Sequence, residues 1–281
     1  MIKLCELPQV PEVYSAAEKV LRSGKYVKGE LAKEFAVKWA EKCGMKYGIS
    51  VGSGAQALEL AIKAVFGANK EVTYTSQTYQ AVPNAIRRMG NTALPRESGK
   101  VDIFAHHLHN ESLNYIPKIE DCSHCHGYKP KAETAIFSLF PTKILGACGE
   151  AGVIVTNNEK VKEECEFFAS HGEPTGTNAR MDEIQAAILL AKLPYLDRWI
   201  FRRQEIVNTY DTALGIFTLG QFHYMYCING NQKTVDKLIS NGIESKLVYK
   251  EPYVALPFYP EISNEEIVEV IKAVLEIRSE S

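Results

Sequence analysis

The sequence predicts an α/β fold in which helices cover both faces of a mainly parallel central sheet, followed by a small α+β domain. Short apolar runs alternate with stretches of helical periodicity through the first two-thirds of the 281 residues. This alternation is typical of parallel sheets, because parallel strands need a crossover between them, usually a helix. We therefore predict a large domain over residues 1–214 and a small C-terminal domain over residues 215–281.

Each element follows from a local pattern. The segment 152–156 is β-branched and ends at two asparagines, which is typical of a buried strand. Pro194 is expected to break or kink the helix predicted over 181–214. The predicted strands are 47–51, 72–74, 102–105, 116–120, 134–138, 152–156 and 224–228, and the other predicted helices are 57–65, 79–89, 233–241 and 264–277.

Composition and charge restrict the class of protein. Apolar residues make up 46% and charged residues 23%, and the net charge is −2. These values are ordinary for a soluble protein and indicate no nucleic-acid or membrane partner. The first residues do not form the apolar core of a signal peptide, because the charged Glu6 would lie inside such a core. Seven cysteines at scattered spacings predict no disulfide framework, and we expect a cytoplasmic protein.

Two motifs can bind or react with a small molecule. Gly52-Ser53-Gly54 lies between a predicted strand and a predicted helix, where unpaired helical N–H groups bind anions, although an ordinary turn remains the alternative. Lys143 lies just past strand 134–138, with Ser138 and Thr142 able to add hydroxyl contacts to a phosphate. A lysine in a dry pocket has a lowered pKa and becomes an amine nucleophile, whereas a solvated surface lysine does not.

A third motif ends the predicted strand 116–120. Asp121 could pair with a cationic ring nitrogen or serve as a structural cap. Cys122 and Cys125 have the spacing of metal ligands, but no second Cys or His pair follows at zinc-finger spacing. We therefore predict no metal ligand and keep metal binding as an alternative. Five of the seven histidines lie near these cysteines, namely His106, His107, His109, His124 and His126.

Taken in order, these motifs resemble the DegT/DnrJ/EryC1/StrS family of sugar aminotransferases, which are fold-type I enzymes that use pyridoxal 5′-phosphate. The resemblance covers residues 24–214 and returns weakly near the C-terminus. Its pieces are Gly24–Gly29, Phe35-Ala36, Ser53-Gly54 with Ala57-Leu58, Thr78-Tyr79, His107-Leu108, Glu120-Asp121 with Gly127, residues 137–152 and residues 177–187.

The resemblance implies a role for several side chains around the cofactor ring. Lys143 would hold the cofactor as a Schiff base and move protons, and Asp121 would pair with the pyridine nitrogen. Tyr79 would stack on the ring, although a core aromatic is the alternative. His124 stands where the family usually has Gln and could still hydrogen-bond the ring hydroxyl.

The resemblance also implies how the phosphate is held. The backbone at Ala55 and Gln56, next to Gly54, and the hydroxyl of Ser138 would contact it. Ala55 replaces the usual Thr and removes one hydroxyl. Asn178 would reach the phosphate of a neighbouring subunit's cofactor, which implies a homodimer with shared active sites. A loop position before a helix is the alternative reading of Asn178.

We expect a ping-pong aminotransferase that passes an amino group from glutamate to a keto sugar. The residues after Lys143 resemble members that aminate C3 of a nucleotide-linked sugar. A dehydratase is disfavoured, because those relatives carry His in place of the lysine. The regions 90–121 and after 214 are compressed, so a non-sugar or modified-nucleotide substrate stays open. A metal-binding or regulatory protein on a degenerate fold of this kind is the alternative from another class.

Overall fold

The computed structural model describes residues 1–8, 10–106, 114–172, 176–218, 223–248 and 252–280. His107, Leu108 and His109, named above, lie outside the described residues. The described chain packs as two compact units. The larger comprises residues 10–106 and 114–196, and the smaller comprises residues 1–8 and those from 197 onward. The domain boundary at residue 214 stays a prediction.

A mainly parallel sheet is the centre of the larger unit. Its strands lie in the order β1-β7-β6-β5-β4-β2-β3. The neighbours from β6 to β3 pair in parallel, whereas β7 is antiparallel to both β1 and β6. The strands are β1 (Tyr47–Val51), β2 (Glu71–Thr75), β3 (Thr92–Arg96), β4 (Ile103–Ala105), β5 (Ile119–Asp121), β6 (Thr134–Ser138) and β7 (Gly152–Thr156).

Helices cover both faces of this sheet, as the alternation of elements predicts. Successive residues of a strand face opposite sides. Ile136 of β6 packs in one core with Leu58, whereas the ring of the next residue, Phe137, lies 5.2 Å from that of Trp39. The helices of this unit are α1 (Glu12–Ser23), α2 (Leu31–Cys43), α3 (Gly54–Phe66), α4 (Ala81–Arg88), α5 (Glu159–Ala169) and α6 (Glu183–Lys192).

Pro194 interrupts the long helical run as predicted. A single 3-10 turn, Leu193–Tyr195, separates α6 from α7 (Leu196–Leu214). Proline has no N–H to donate and clashes with the preceding helical turn, so the α-helical hydrogen bonds stop there. No helix among the described residues has the length and apolar character needed to cross a bilayer.

The smaller unit is α+β, as predicted. Its antiparallel sheet has the order β8-β10-β9, and α7 contributes to the same apolar core, in which Tyr210 and Tyr226 pack with their ring centroids 4.8 Å apart. The remaining elements are β8 (Tyr226–Asn229), α8 (Gln232–Ser240), β9 (Lys246–Val248), β10 (Tyr253–Leu256) and α9 (Asn264–Ser279).

Candidate active site

The predicted site residues gather at one edge of the central sheet. Asp121 and Ser138 are the last residues of the parallel strands β5 and β6. Gly152 of β7 pairs with Val51 on one side and with Ser138 on the other. The carboxyl end of β1 therefore lies at the same edge. It leads into the turn Gly52-Ser53-Gly54, here called the glycine turn. Ligands of open α/β sheets bind at this edge.

Lys143 is partly buried behind this edge rather than solvated. Its backbone N–H donates to the carbonyl of Phe140 at 2.8 Å. Burial lowers the pKa of the amine to about 8, although the negative charge of Asp121 and the Cys125 thiol oppose this shift. A useful fraction of the amine is therefore neutral and nucleophilic near neutral pH. The alternative of an ordinary surface lysine does not fit this environment.

Asp121 is buried and held by its own turn. Its Oδ1 accepts the backbone N–H of Ser123 at 3.0 Å. The Ser123 hydroxyl in turn accepts the backbone N–H of Ser138 at 3.0 Å. The capping role considered above is therefore present, and it fixes the carboxylate in relation to the end of β6.

The glycine turn before α3 has the geometry of an anion site. Ser53 caps the helix, with its Oγ accepting the N–H of Gln56 at 3.2 Å. A Cβ on Gly54 would lie 2.6 Å from the Cβ of Ser138, so only glycine allows the helix to approach β6 this closely. The helix N-terminus and the Ser138 residue are thereby brought together, as phosphate binding requires.

His126 connects the end of β6 to the loop that carries Lys143. Its Nδ1 accepts the N–H of Leu145 at 3.1 Å, and its Nε2 lies 2.9 Å from the carbonyl of Ser138. Because a carbonyl only accepts, Nε2 must carry the proton, and both bonds fix one neutral tautomer. Sequence reasoning placed His126 only in the Cys/His cluster and missed this positioning role.

Two residues of α6 hold the glycine-rich segment after Lys143, residues 146–152. The Lys192 amine donates to the Gly146 carbonyl at 2.8 Å, and Gln185 Oε1 accepts the N–H of Cys148 at 2.9 Å. Gly146 cannot be replaced without movement, because a Cβ there would lie 2.1 Å from the Pro141 carbonyl oxygen. No local motif marks these contacts, since the partners are far apart in sequence.

The other predicted cofactor ligands lie around this edge. Tyr79 precedes α4 and is 70% exposed, which excludes the core-aromatic alternative and leaves its ring accessible. Ala55 is exposed on the first turn of α3, and His124 is partly buried in the turn after β5. Asn178 is exposed, and its carbonyl accepts from Gln56 Nε2 at 3.5 Å. Their individual roles stay predictions.

This set of groups fits pyridoxal phosphate. The amine of Lys143 can hold an aldehyde, the carboxylate of Asp121 can pair with a ring nitrogen, and the Gly54–Ser138 contact forms a phosphate cradle that a Cβ would fill. Fold and site together define a pyridoxal-phosphate-dependent aminotransferase. The chain belongs to the DegT/DnrJ/EryC1/StrS aminotransferase family, whose sequence profile matches residues 9–105 and 114–266. The predicted family, enzyme class and cofactor are confirmed.

Similar proteins agree with this assignment. The chain is 35% identical to the dTDP-3-amino-3,6-dideoxy-alpha-D-galactopyranose transaminase of Aneurinibacillus thermoaerophilus, over 75% of this chain and 71% of the relative. It is 30% identical to a pleiotropic regulatory protein of Geobacillus stearothermophilus, over 73% and 67%. The structure of NtdA from Bacillus subtilis with bound cofactor PMP has a TM-score of 0.87 at 21% identity, over 98% and 83%. That likeness confirms the predicted fold.

Proposed function

We propose that this enzyme transfers an amino group from glutamate to C3 of a nucleotide-linked keto sugar. The observation that carries the aminotransferase part is Lys143, a partly buried amine with a lowered pKa at the sheet edge that also holds Asp121. The names of several relatives support the acceptor. They include the 35% identical transaminase above and a UDP-2-acetamido-2-deoxy-3-oxo-D-glucuronate aminotransferase of Pseudomonas aeruginosa at 28% identity.

The chain's own residues supply positioning and proton transfer. Bound pyridoxal phosphate supplies an electron sink for the bond that breaks at Cα of the amino donor. Lys143 Nζ, neutral in part near neutral pH, accepts the proton from that Cα and returns it to the carbon that receives it. Asp121 would pair with the ring nitrogen and favour its protonated form, and the N-terminus of α3 would hold the phosphate.

We also propose that the enzyme is a homodimer with shared active sites in a reducing, cytoplasmic compartment. The exposed side chain of Asn178, at the edge that carries the glycine turn, supports a contact with a second copy of the chain. The seven cysteines are all free thiols, which supports a reducing environment. Neither a nucleic acid nor a membrane is part of this proposal, in keeping with the net charge of −2.

The proposed reaction can be tested with matched acceptors. Purified enzyme, pyridoxal phosphate and glutamate are incubated with a dTDP-linked 3-keto sugar or its 4-keto isomer, and amination is followed by mass spectrometry. The proposal expects amination of the 3-keto sugar, with 2-oxoglutarate formed in equal amount. Amination of only the 4-keto isomer would move the position, and no amination of either would reject a sugar-nucleotide acceptor.

Matched lysine variants test the role of Lys143 in the same assay. Lys143→Ala should abolish turnover, because no other amine occupies this position at the ends of β5 and β6 among the described residues. Lys129→Ala is the control, since Lys129 is exposed in the turn between β5 and β6 and has no role in the proposed reaction. Turnover by Lys143→Ala at the wild-type rate would contradict the proposal.

A further inference from the structure

Three buried side chains beside the cofactor site form a cluster of metal-binding type. His106, Cys122 and Cys125 are each 2% exposed or less. One ring nitrogen of His106 and the two thiol sulfurs all lie within 4.8 Å of one another. Two thiols and an imidazole are the donors that soft and borderline transition metals prefer.

The sheet and one tight turn bring these three residues together. β4 pairs in parallel with β5, with Ala105 opposite Asp121, so His106 follows directly beside Cys122. The backbone N–H of His106 donates to the Asp121 carbonyl at 3.0 Å. A turn closed by the Cys125 N–H on the Cys122 carbonyl, also at 3.0 Å, places both thiols on one side. Sequence analysis named His106 among five histidines near the cysteines, and the pairing of β4 with β5 is what sets it apart from the others.

Glu120 holds the His106 ring through one of its two nitrogens. Its Nε2 lies 2.6 Å from Oε2 of Glu120, whose other oxygen accepts the N–H groups of Lys131 and Ala132. Glu120 is fully buried, and its carboxylate oxygens act as the acceptors of all three contacts. Nε2 is therefore the ring nitrogen that carries the proton. Metal-bound histidines are commonly held by a carboxylate in this way.

The other nitrogen of the same ring, Nδ1, is buried and makes no hydrogen bond within the part of the chain that the structure describes. A buried acceptor left unsatisfied costs about 1–3 kcal/mol, so native structures usually provide a partner. In the tautomer fixed by Glu120, Nδ1 presents a lone pair, which is what a metal ion requires.

We propose that His106, Cys122 and Cys125 bind a zinc ion, with Glu120 as the carboxylate that orients the histidine. Sulfur ligands of a tetrahedral zinc ion, at about 2.3 Å from the metal, stand roughly 3.8 Å apart. The two sulfurs lie within 4.8 Å of each other, so they need to approach by about 1 Å at most to bind zinc. A water molecule completes the tetrahedron, and both thiols release their protons on binding.

The zinc ion would connect the segments on either side of the cofactor's acidic partner. His106 follows β4, and the two cysteines follow Asp121, the last residue of β5. The metal therefore fixes the end of β5 from two directions and has a structural role. This site goes beyond the proposed transamination and can be present or absent whatever acceptor the enzyme uses.

Metal content and X-ray absorption of the complete holoenzyme test the proposal. The protein is purified in reductant, equilibrated with zinc and dialysed against zinc-free buffer. We expect one zinc per chain, with two sulfurs at about 2.3 Å and a nitrogen at about 2.0–2.1 Å in the absorption spectrum. This measurement needs no variant, so it does not depend on whether a substituted protein folds. It reads the metal and not the amino transfer.

Variants assign the ligands. Cys122→Ser and Cys125→Ser should lose the retained zinc, and Glu120→Gln should weaken binding by about 10- to 100-fold. Cys165→Ser is the matched control, because Cys165 is equally buried in α5 and lies outside the cluster; it should keep one zinc. A wild-type protein that retains no zinc overturns the proposal. So does zinc bound only through oxygen and nitrogen, or zinc kept by both serine variants.

Discussion

Replacement of His126 by leucine tests how the lysine loop, residues 139–151 with Lys143, is held in place. The two ring nitrogens bond the Leu145 N–H at 3.1 Å and the Ser138 carbonyl at 2.9 Å, and the side chain is fully buried. Leucine removes both bonds but keeps most of the volume, so the cavity contribution is small. The principal effect is therefore that the buried N–H of Leu145 and the carbonyl of Ser138 both lose their hydrogen-bond partner.

Two orphaned groups at about 1–3 kcal/mol each give an expected loss of about 2–6 kcal/mol in the free energy of unfolding. Loss of the edge-on contact with Trp39, where the ring centroids lie 5.2 Å apart, adds to this value. His126→Gln, which retains a donor and an acceptor, should lose less. The lysine loop should also loosen, so pyridoxal phosphate should bind more weakly to His126→Leu than to the wild type.

Urea unfolding followed by tryptophan fluorescence measures this loss in the larger unit. In a Trp199→Phe background Trp39 is the remaining tryptophan, so the signal reports the unit that contains the site. His171→Asn is the control, because His171 is exposed and has φ 66°, a conformation that asparagine tolerates. A loss below about 0.5 kcal/mol for His126→Leu, within the range of ordinary surface changes, would refute the reasoning.

Other variants probe Lys143, the loop that carries it, and the glycine turn before α3. Without cofactor, Lys143→Met should be more stable than wild type at pH 7 by roughly 3 kcal/mol, because burial lowers the lysine pKa from 10.5 to about 8. The difference in stability between variant and wild type should disappear as the pH rises from 8 to 10.5. In this range the unfolded lysine binds a proton that the folded lysine does not. Urea unfolding measures the difference, and a value that stays constant with pH would contradict the prediction. Lys192→Met leaves the Gly146 carbonyl unpaired and should lower unfolding free energy by about 1–3 kcal/mol, with kcat also reduced; an unchanged midpoint would exclude this anchoring role. Residue 55 is predicted to lie beside the phosphate, so the hydroxyl of Ala55→Thr should tighten cofactor binding by about 2- to 10-fold in a spectral titration; equal or weaker binding would place residue 55 away from the phosphate.

Strands with strong local signals were predicted closely. The segments 134–138 and 152–156 match β6 and β7 at both ends, because continuous apolar runs there end at polar or glycine residues. β3 was not predicted, because Pro95 and Arg96 interrupt its pattern. The strand lies at the edge of the sheet, where a proline is tolerated. The helices α1, α2 and α5 were likewise not proposed, although Phe35, Ala36, Trp39 and Ala40 form a buried stripe on α2.

Strand direction and long-range contacts were beyond local patterns. β7 runs antiparallel to β6, and residues 139–151 connect the two strands by a loop without the helix that usually joins parallel neighbours. The motifs around Asp121 and Lys143 were visible in sequence because Asp121 ends β5 and Lys143 lies in the loop that follows β6. The roles of His126 and Lys192 were not, because each depends on a partner from another element.

The central claim is that Lys143 holds pyridoxal phosphate and that the bound cofactor accepts an amino group. The most direct measurement is the visible absorption spectrum of the purified protein with pyridoxal phosphate, before and after addition of glutamate. We expect a band from the lysine-bound cofactor that bleaches with glutamate and is absent in Lys143→Ala. The same band in Lys143→Ala, or no band in the wild type, would contradict the account.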